Sequence, residues 1–274
     1  MVGMTISHYK ILELIGQAGM GEVYKAEDIA LKRFVALKFL SPELTIDPQA
    51  VERFIREAQT ASALDHQNIC TIHEISQSDD GQYFIIMAYY EGETLRHKIS
   101  AGPVDIEEAL DITQQPCRGL EKAHAKSIMH LDLKPENIII TPEGDVKILD
   151  FGVGELVSRQ GAQRSTSGTL AYMSPEQLMG KAIDFRTDIW AVGVILYEML
   201  DGQRPFRGDF AEEMIYSILN EEPESINEQE HPLEKTITKL LQKEVHKRYQ
   251  KMADVLSDLR ILADEEQEHL LTLS

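Results

Sequence analysis

The chain has 274 residues, of which 43% are hydrophobic and 27% are charged. This composition is typical of a globular protein, and the length allows a large core in one two-lobed unit or in two small domains. A formal net charge of -19 argues against nucleic-acid binding through a basic face and against electrostatic docking on an anionic membrane surface.

The first predicted element is a strand, a glycine-rich turn and a second strand. The turn and the start of the second strand comprise Ile15, Gly16, Gln17, Ala18, Gly19, Met20, Gly21 and Val23. Glycines let a backbone approach phosphate oxygens closely and point N–H groups at them. Many hairpins are rich in glycine, so this turn by itself is weak evidence for phosphate binding.

A lysine and a glutamate follow, both in apolar surroundings. Lys38 ends the apolar strand Val35-Ala36-Leu37-Lys38, and Glu57 falls at the shoulder of the apolar face of the next predicted helix. Asp47 is a good N-cap for that helix, and Pro48 suits its first position. A buried charge is costly without a partner, so we expect Lys38 and Glu57 to pair. The alternative is that they are two unrelated surface charges.

A change in composition near Gly92 indicates a domain boundary. The segment 83–92 reads as a buried strand that runs into a linker, and helices dominate beyond it. We therefore expect a small unit at 9–92, a large unit at 93–263 and an acidic tail at 264–274. A long helix is predicted from Asp105 to Ser127, and Pro116 within it should kink it, at a cost of about 3 kcal/mol in a straight helix.

The segment from His130 to Gly152 carries the strongest chemical signal. Two short strands, 138–140 and 146–149, flank a predicted turn and form a hairpin. Asn137 and Asp150 should then lie near each other at one end, with Asp132 and Lys134 just before the hairpin. Two hard oxygen ligands beside a carboxylate and a lysine suit Mg²⁺-assisted phosphoryl transfer. The alternative is a hairpin that is polar at its ends without any catalytic role.

These residues resemble a known family. The sequence His130-Leu131-Asp132-Leu133-Lys134-Pro135-Glu136-Asn137, followed by Asp150-Phe151-Gly152, resembles the catalytic loop and metal-binding triplet of eukaryotic-type protein serine/threonine kinases. The glycine-rich turn, the lysine strand and the segment 168–176 resemble further motifs of that family in the same order. The resemblance extends from about Tyr9 to about Ala263 and is closest to the bacterial branch. It implies an α+β fold with two lobes, a small antiparallel β-sheet lobe with one helix and a larger, mostly helical lobe.

The resemblance also implies catalytic roles. Asp132 is expected to act as the catalytic base toward the substrate hydroxyl, and Lys134 to neutralise charge on the transferred phosphoryl group. Asn137 and Asp150 are expected to hold Mg²⁺. Lys38, paired with Glu57, is expected to orient the α- and β-phosphates of ATP.

A nucleotide site is implied in the small lobe. The glycine-rich turn at 15–21 is expected to cover the phosphates, with Ala18 in place of the middle glycine of the family pattern, a change that we expect to be tolerated. Met87 corresponds to the gatekeeper, and the backbone of Ala88 and Tyr90 is expected to meet the adenine edge. Val23 and Ala36 are expected to pack against the faces of the adenine.

One departure from the family concerns activation. Leu131 stands where the family commonly has an arginine that pairs with a phosphate on the activation loop, and Glu155 adds a negative charge nearby. Leucine cannot make that contact. Our hypothesis is that activity does not depend on phosphorylation of the cluster Ser165-Thr166-Ser167 through this contact.

Three further residues are expected to support the site without taking part in chemistry. Glu176 needs a buried cation, and by resemblance Arg248 supplies it. Asp188, near the start of an apolar helix, can cap backbone N–H groups of the catalytic loop. His130 is expected to brace the Asp-Phe-Gly triplet by packing.

The implied function is ATP-dependent phosphorylation of serine or threonine in protein substrates, with ATP and Mg²⁺ as cofactors. The alternative from another class is a pseudokinase-like scaffold that binds nucleotide. Retention of Lys38, Asp132 and Asp150 argues against it. A small-molecule kinase is disfavoured by the segment 168–176, which in protein kinases builds the peptide surface. The negative charge of the chain favours basic peptides or, more simply, only keeps the surface soluble.

Location is inferred from what the chain lacks. Cys70 and Cys117 are the only cysteines, which gives no disulfide framework and is natural in a reducing cytoplasm. The first residues do not form a signal peptide, and no apolar run reaches the roughly 18 residues of a membrane span. We expect a cytoplasmic protein with no membrane segment and no nucleic-acid partner, and the sequence leaves the oligomeric state open.

Overall fold

The computed structural model describes residues 1–18, 21–151, 170–226 and 232–273, apart from the side chains of Ala18, Glu57 and 269–273. Its backbone divides into two compact units. The first contains Met1–Asp65 and Cys70–Glu91, and the second contains His66–Ile69 and Gly92–Ser274. The short segment His66–Ile69 therefore belongs to the second unit, although the chain on either side of it belongs to the first. The domain limits given from the sequence stay predictions.

The first unit is built on a six-stranded antiparallel sheet with the strand order β1-β2-β3-β4-β6-β5. Its strands are β1 (Thr5–Ile6), β2 (Tyr9–Ala18), β3 (Gly21–Asp28), β4 (Arg33–Leu40), β5 (Ile72–Gln77) and β6 (Tyr83–Ala88). Between β4 and β5 lie a single helical turn, α1 (Pro42–Thr45), and a longer helix, α2 (Pro48–Ser62). An antiparallel sheet with one substantial helix is the architecture expected for this lobe.

Helix α2 begins as its sequence predicts. Asp47 is the N-cap and accepts a hydrogen bond from the backbone N–H of Gln49 at 2.9 Å, and Pro48 occupies the first helical position. The buried face of the helix packs on the sheet through Phe54 and Ala58. This packing, more than helix propensity, holds α2 in place.

The second unit is mostly helical. Its three-stranded sheet contains β7 (Glu93–Thr94), β8 (Ile138–Ile140) and β9 (Val146–Ile148), in that order. Its described helices are α3 (Leu95–Ser100), α4 (Ile106–His124), α5 (Pro175–Leu178), α6 (Arg186–Asp201), α7 (Ala211–Asn220), α8 (Glu234–Leu240) and α9 (Met252–Leu273), with 3₁₀ turns at Pro135–Asn137 and Val245–Lys247. Among the helices of the described ranges, none has both the length and the apolar composition needed to cross a membrane.

Helix α6 is the centre of this unit. Its residues from Thr187 to Leu200 are all buried, which agrees with the expectation for a helix that is apolar almost all round. Gly193 allows α8 to come close, because a Cβ at that position would lie only 2.7 Å from the Cβ of Leu240. Helix α4 continues through the buried Pro116, so this proline does not end the helix.

The segment His66–Ile69 is attached to the hairpin of the second unit. The Asn68 side-chain amide donates to Val146 O at 2.9 Å and to Gln115 Oε1 at 3.2 Å. The backbone N–H of Ile148 donates to Asn68 O at 2.8 Å, and Ile69 forms a parallel bridge with Ile148. These contacts fix β9, the strand that leads to Asp150.

Candidate active site

The hairpin predicted between Asn137 and Asp150 is present. Strands β8 and β9 pair antiparallel, with Ile138 opposite Ile148 and Ile140 opposite Val146. Beyond the strands, the backbone N–H of Leu149 donates to Asn137 O at 2.8 Å. This bond brings Asn137 and the residue before Asp150 to the same end of the hairpin, as the sequence predicts.

Asp132 and Lys134 lie directly before the hairpin and contact each other. Lys134 Nζ donates to Asp132 Oδ2 at 2.9 Å, and the Asn137 side-chain amide donates to the backbone O of Asp132 at 2.9 Å. The same amide lies 3.3 Å from Asp132 Oδ2. Three of the predicted polar residues are thus held together by hydrogen bonds within six residues of chain. Asp132 and Lys134 both keep part of their side chains exposed.

Asp188 holds the backbone that leads into Asp132. Its carboxylate accepts from the backbone N–H groups of His130 and Leu131, both at 2.9 Å, as predicted. Leu131 has a φ of 65°, in the left-handed region that is unfavourable for leucine, and these bonds help to hold it there. Burial would raise the pKa of Asp188, but the hydrogen bond from His124 and neighbouring charges outweigh burial and lower it. Asp188 therefore stays ionised as an anchor.

His130 braces the Asp-Phe-Gly triplet, the role expected from the sequence. Its Nε2 lies 2.8 Å from the backbone O of Leu149, and because a carbonyl can only accept, Nε2 carries the proton. Its ring also packs edge-on against Phe151, with ring centroids 4.7 Å apart. Asp150 between these residues has a φ of 56°, a second non-glycine residue in the left-handed region.

The predicted buried ion pair is also present. Arg248 Nη1 and Nη2 donate to the two carboxylate oxygens of Glu176 at 2.7 and 2.6 Å, and the Thr187 hydroxyl donates to Glu176 Oε1 at 3.0 Å. Burial would raise the pKa of Glu176, but the hydrogen bonds and charge of Arg248 outweigh it and lower that pKa.

The residues predicted to contact the base and phosphates of a nucleotide lie on adjacent strands of the first unit. Val23 pairs with Lys38, and Ala36 pairs with Met87. Because directly paired residues, and residues two apart on one strand, point to the same side of a sheet, these four share one face. Lys38 is buried on that face. Ala88 ends β6, and Tyr90 follows it.

The described part of the glycine-rich turn shows why one of its glycines is required. Gly16 pairs with Val23, and Ala18 pairs with Gly21. At Gly21 the φ is 155°, and a Cβ would lie 1.7 Å from the backbone O of Phe39, so no other residue fits without a shift of the strands. Ile15 and Gln17 lie on β2 in the same turn region.

Several predicted site residues lie outside the described part of the chain. They are Gly19, Met20, Gly152, Glu155, Ser165, Thr166 and Ser167, together with the side chains of Ala18 and Glu57. The Lys38–Glu57 pair and the role of the activation-loop hydroxyls therefore stay predictions.

The amide of Asn137 and the carboxylate of Asp150 supply the oxygen ligands that Mg²⁺ prefers. Within the described ranges, no three histidine, cysteine, aspartate or glutamate side chains form a metal cluster. Two oxygen donors of this kind are a donor set that Mg²⁺ takes when substrate phosphates and water complete its coordination.

Sequence reasoning missed a polar cluster beside residues 130–137, the turn predicted to be catalytic (hereafter the catalytic turn). Arg96 on α3 donates to Glu136 Oε1 at 2.8 Å and to Glu198 Oε1 at 2.9 Å, and it also contacts the hydroxyl of Tyr172. The signal was Glu198, a carboxylate in the middle of an apolar helix that had to find a cation. The sequence does not say which cation.

Comparison with known proteins identifies one family. A family model described as the protein kinase domain matches residues 9–259. The chain is 38% identical to "Serine/threonine-protein kinase PrkC" of Bacillus subtilis over 96% of its own length and 42% of that protein. It is 35% identical to "Serine/threonine-protein kinase PknB" of Mycobacterium leprae over 92% of its length and 42% of that protein. The chain thus spans about two fifths of the length of these curated relatives.

Solved structures agree on the fold. The crystal structure of the Mycobacterium tuberculosis PknI kinase domain superposes with a TM-score of 0.75 at 22% identity, covering 96% of this chain and 98% of that one. At that identity the likeness concerns the fold alone.

Proposed function

Because the chain belongs to the protein kinase domain family, we propose that it is a protein serine/threonine kinase that transfers the γ-phosphate of Mg-ATP to serine or threonine hydroxyls of protein substrates. The observation that carries this proposal is the hydrogen-bonded group of Asp132, Lys134 and Asn137 at the mouth of the hairpin. Phosphoryl transfer needs positioning and charge neutralisation more than covalent chemistry, and this group offers both.

Asp132 is proposed as the catalytic base. Its carboxylate is partly exposed and is held by hydrogen bonds from Lys134 and Asn137, so it can accept the proton of an incoming hydroxyl without a rearrangement. Lys134 then faces the negative charge that develops on the transferred group. The anchoring of the preceding backbone by Asp188 keeps the base in place.

Asn137 and Asp150 are proposed to hold Mg²⁺. Their positions at one end of the hairpin, and their oxygen donors, support this assignment. When bound, the metal supplies neutralisation of charge on the phosphate oxygens. The protein's part is to present these two ligands from a rigid hairpin next to Asp132.

The nucleotide is proposed to bind on the sheet face that carries Val23, Ala36, Lys38 and Met87. In this proposal Val23 and Ala36 pack against the adenine, and the backbone of Ala88 and Tyr90 hydrogen-bonds its edge. Lys38, paired with Glu57, meets the α- and β-phosphates, and the turn at 15–21 covers them. The shared face of these strands supports this arrangement.

Activation is proposed not to depend on an arginine–phosphate contact next to Asp132. Leu131 is buried, and its backbone is held by Asp188 and by the Gln177 side chain, which donates to Leu131 O at 3.1 Å. An apolar, buried side chain cannot bind a phosphate. The geometry of the catalytic turn therefore does not depend on a contact with a phosphate.

Cytoplasmic location is part of the proposal. Cys70 and Cys117 are buried and form no disulfide with each other, and burial raises the pKa of the Cys117 thiol to about 12, so this thiol is unreactive. The substrates and partners of the chain are proposed only as proteins with serine or threonine acceptors. A nucleotide-binding scaffold without activity is the alternative, and the retention of Lys38, Asp132 and Asp150 disfavours it.

The test is transfer of labelled γ-phosphate from Mg-ATP to the chain itself and to a generic protein substrate. Asp132→Asn should abolish the signal, whereas Asp145→Asn, the same change at an exposed carboxylate in the hairpin turn, should leave it intact. Phosphosite mapping then separates serine and threonine from tyrosine. No transfer by the parent chain, despite measurable ATP binding, would favour the scaffold.

A further inference from the structure

We propose that Arg96 determines peptide selectivity: it neutralises the two carboxylates beside the catalytic turn, so that the chain does not select basic residues around the acceptor hydroxyl. The inference rests on the proposed kinase function and names the class of substrate that this site takes. It runs against one of the two expectations from a net charge of -19, namely a preference for basic peptides.

Arg96 joins three segments that are far apart in sequence. Its Nε donates to Glu136 Oε1 at 2.8 Å, its Nη1 donates to Glu198 Oε1 at 2.9 Å, and its Nη2 contacts the hydroxyl of Tyr172. Glu136 belongs to the 3₁₀ turn Pro135–Asn137, Tyr172 precedes α5, and Glu198 belongs to α6. A planar guanidinium with five donors can serve all three at once.

The charges in this cluster balance. Arg204 Nε lies 3.4 Å from Glu198 Oε1, so two guanidinium groups face two carboxylates. The Tyr172 hydroxyl donates to Glu198 Oε2 at 2.5 Å, and burial together with the charge of Glu198 raises the pKa of this tyrosine, which therefore stays neutral. Burial alone would lower the pKa of Arg96, but its hydrogen bonds to Glu198 and Glu136 raise it. Arg96 therefore stays charged, and the formal charges of the two guanidinium groups and two carboxylates sum to zero.

The position of the cluster ties it to the acceptor side of the site. Glu136 lies between Lys134 and Asn137 in sequence, and its side chain is 42% exposed, whereas Glu198 is 4% exposed. The segment that carries Tyr172 is the one expected to build the peptide surface. To pair with Glu136, an arginine of a bound peptide would have to displace Arg96, which is already oriented and hydrogen-bonded. The exchange gains little, because one guanidinium replaces another.

Removal of the Arg96 charge should create a preference for basic residues around the acceptor hydroxyl. Arg96→Gln leaves Glu136 without this cation and leaves Glu198 with Arg204 and Tyr172 only. A basic peptide residue would then find an accessible, under-neutralised carboxylate. Arg96→Lys keeps the positive charge, so it should show the same lack of preference for basic peptides as the parent chain. Lys98→Gln is the matched control, because it removes one positive charge from the same helix and breaks a 2.7 Å ion pair with Glu108 instead.

The measurement uses pairs of serine peptides that are otherwise neutral and differ at one position, which is arginine in one peptide and glutamine in the other. The substituted position is, in turn, each of the three residues on either side of the acceptor, and kcat/KM is compared within each pair. We expect arginine-to-glutamine ratios within about twofold of unity for the parent chain, for Arg96→Lys and for Lys98→Gln. At one or more positions, Arg96→Gln should raise the ratio about fivefold to tenfold, mainly through a lower KM. Added salt should reduce that gain.

A parent chain that already prefers arginine more than fivefold overturns the inference, as does an unchanged ratio in folded Arg96→Gln. If Arg96→Gln does not fold, Glu136→Gln in the parent decides. An unchanged ratio supports the inference, because Glu136 was already neutralised, and a lowered ratio overturns it. A parent chain that phosphorylates none of the peptides and does not phosphorylate itself overturns the proposed function, and the inference falls with it.

Discussion

The second unit contains two ion pairs that differ in their surroundings. Glu176 and Arg248 have 4% and 0% of their side chains exposed, whereas Asp132 and Lys134 have 12% and 19% exposed. The buried pair is bidentate, and Arg248 also donates to Gln242 O at 2.6 Å. The open pair has one contact between its charged groups, at 2.9 Å. Similar charges thus stand in two different surroundings, one that suits holding the fold and one that suits the proposed contact with a substrate.

The difference follows from desolvation. Two buried charges regain the lost hydration only from each other and from nearby dipoles, so removal of one partner leaves the other uncompensated. The Asp132–Lys134 pair is more exposed than the buried pair, so it loses less hydration and should contribute less to stability. It should therefore exchange its partner for a hydroxyl or a phosphoryl group at a smaller cost. We expect the buried pair to serve stability and the open pair to serve reactivity.

The largest effect is expected at the open pair, in rate. Asp132→Asn should lower kcat for phosphoryl transfer by about 10²–10⁴-fold, because the amide cannot accept the hydroxyl proton. The free energy of unfolding should change by clearly less than it does in Glu176→Gln, because the Asp132–Lys134 pair is less buried. Steady-state assays and urea titrations of one preparation measure both quantities. A loss of unfolding free energy as large as the increase in activation free energy would contradict the separation of roles.

The next effect is expected at the buried pair, in stability. Glu176→Gln leaves the Arg248 charge buried without its carboxylate and should lower the free energy of unfolding by about 3–5 kcal/mol. The control is Glu52→Gln, which breaks an exposed pair with Arg56 and should cost less than about 0.5 kcal/mol. Urea unfolding measures both variants. If the two variants cost the same, burial does not explain the difference.

Acidic pH should remove the same stabilisation in the unmutated chain. The pKa of Glu176 is lowered from 4.5 in the folded state, so the unfolded state binds the proton more readily. Its contribution is therefore present above the unfolded pKa and is lost as the pH falls below about 4.5. The difference in unfolding free energy between the parent and Glu176→Gln should be constant near neutral pH and shrink toward pH 3. A difference that does not change with pH would mean that Glu176 does not titrate differently in the two states.

The smallest effect is expected at the activation-loop hydroxyls. Alanine at Ser165, Thr166 and Ser167 together should change kcat by less than about twofold, because buried Leu131 offers no cation to a phosphate there. Activity assays on the triple variant, after phosphatase treatment of the parent, provide the measurement. A large loss of kcat in a folded variant would show that a phosphate acts on the open pair by another route.

The elements that sequence predicted well are those with a local cause. The hairpin around Asn137 and Asp150 followed from two apolar runs and a turn, and the start of α2 followed from Asp47 and Pro48. The pairing of Glu176 with Arg248 combined a rule about buried charge with a family resemblance. In each case the local pattern and the tertiary packing agree.

The features that the sequence did not predict depend on which segments, distant in sequence, pack against each other. Glu198 signals a missing cation, but only the packing of α3 on α6 selects Arg96 and Arg204. The one-turn helix α1 has no hydrophobic periodicity long enough to predict it. The left-handed backbone of Leu131 depends on Asp188, which lies 57 residues away in sequence.

The membership of His66–Ile69 in the second unit limits how this chain can be dissected. A fragment that begins at Gly92 would lack Asn68, so Val146 O and Gln115 Oε1 would lose the hydrogen bonds from its side-chain amide, next to the strand that leads to Asp150. A chimera that exchanges everything before Gly92 for the equivalent part of a relative would also exchange this tetrapeptide. Recombination at the linker therefore does not cleanly exchange the two units. These four residues lie before Gly92 in the sequence, but they pack in the second unit.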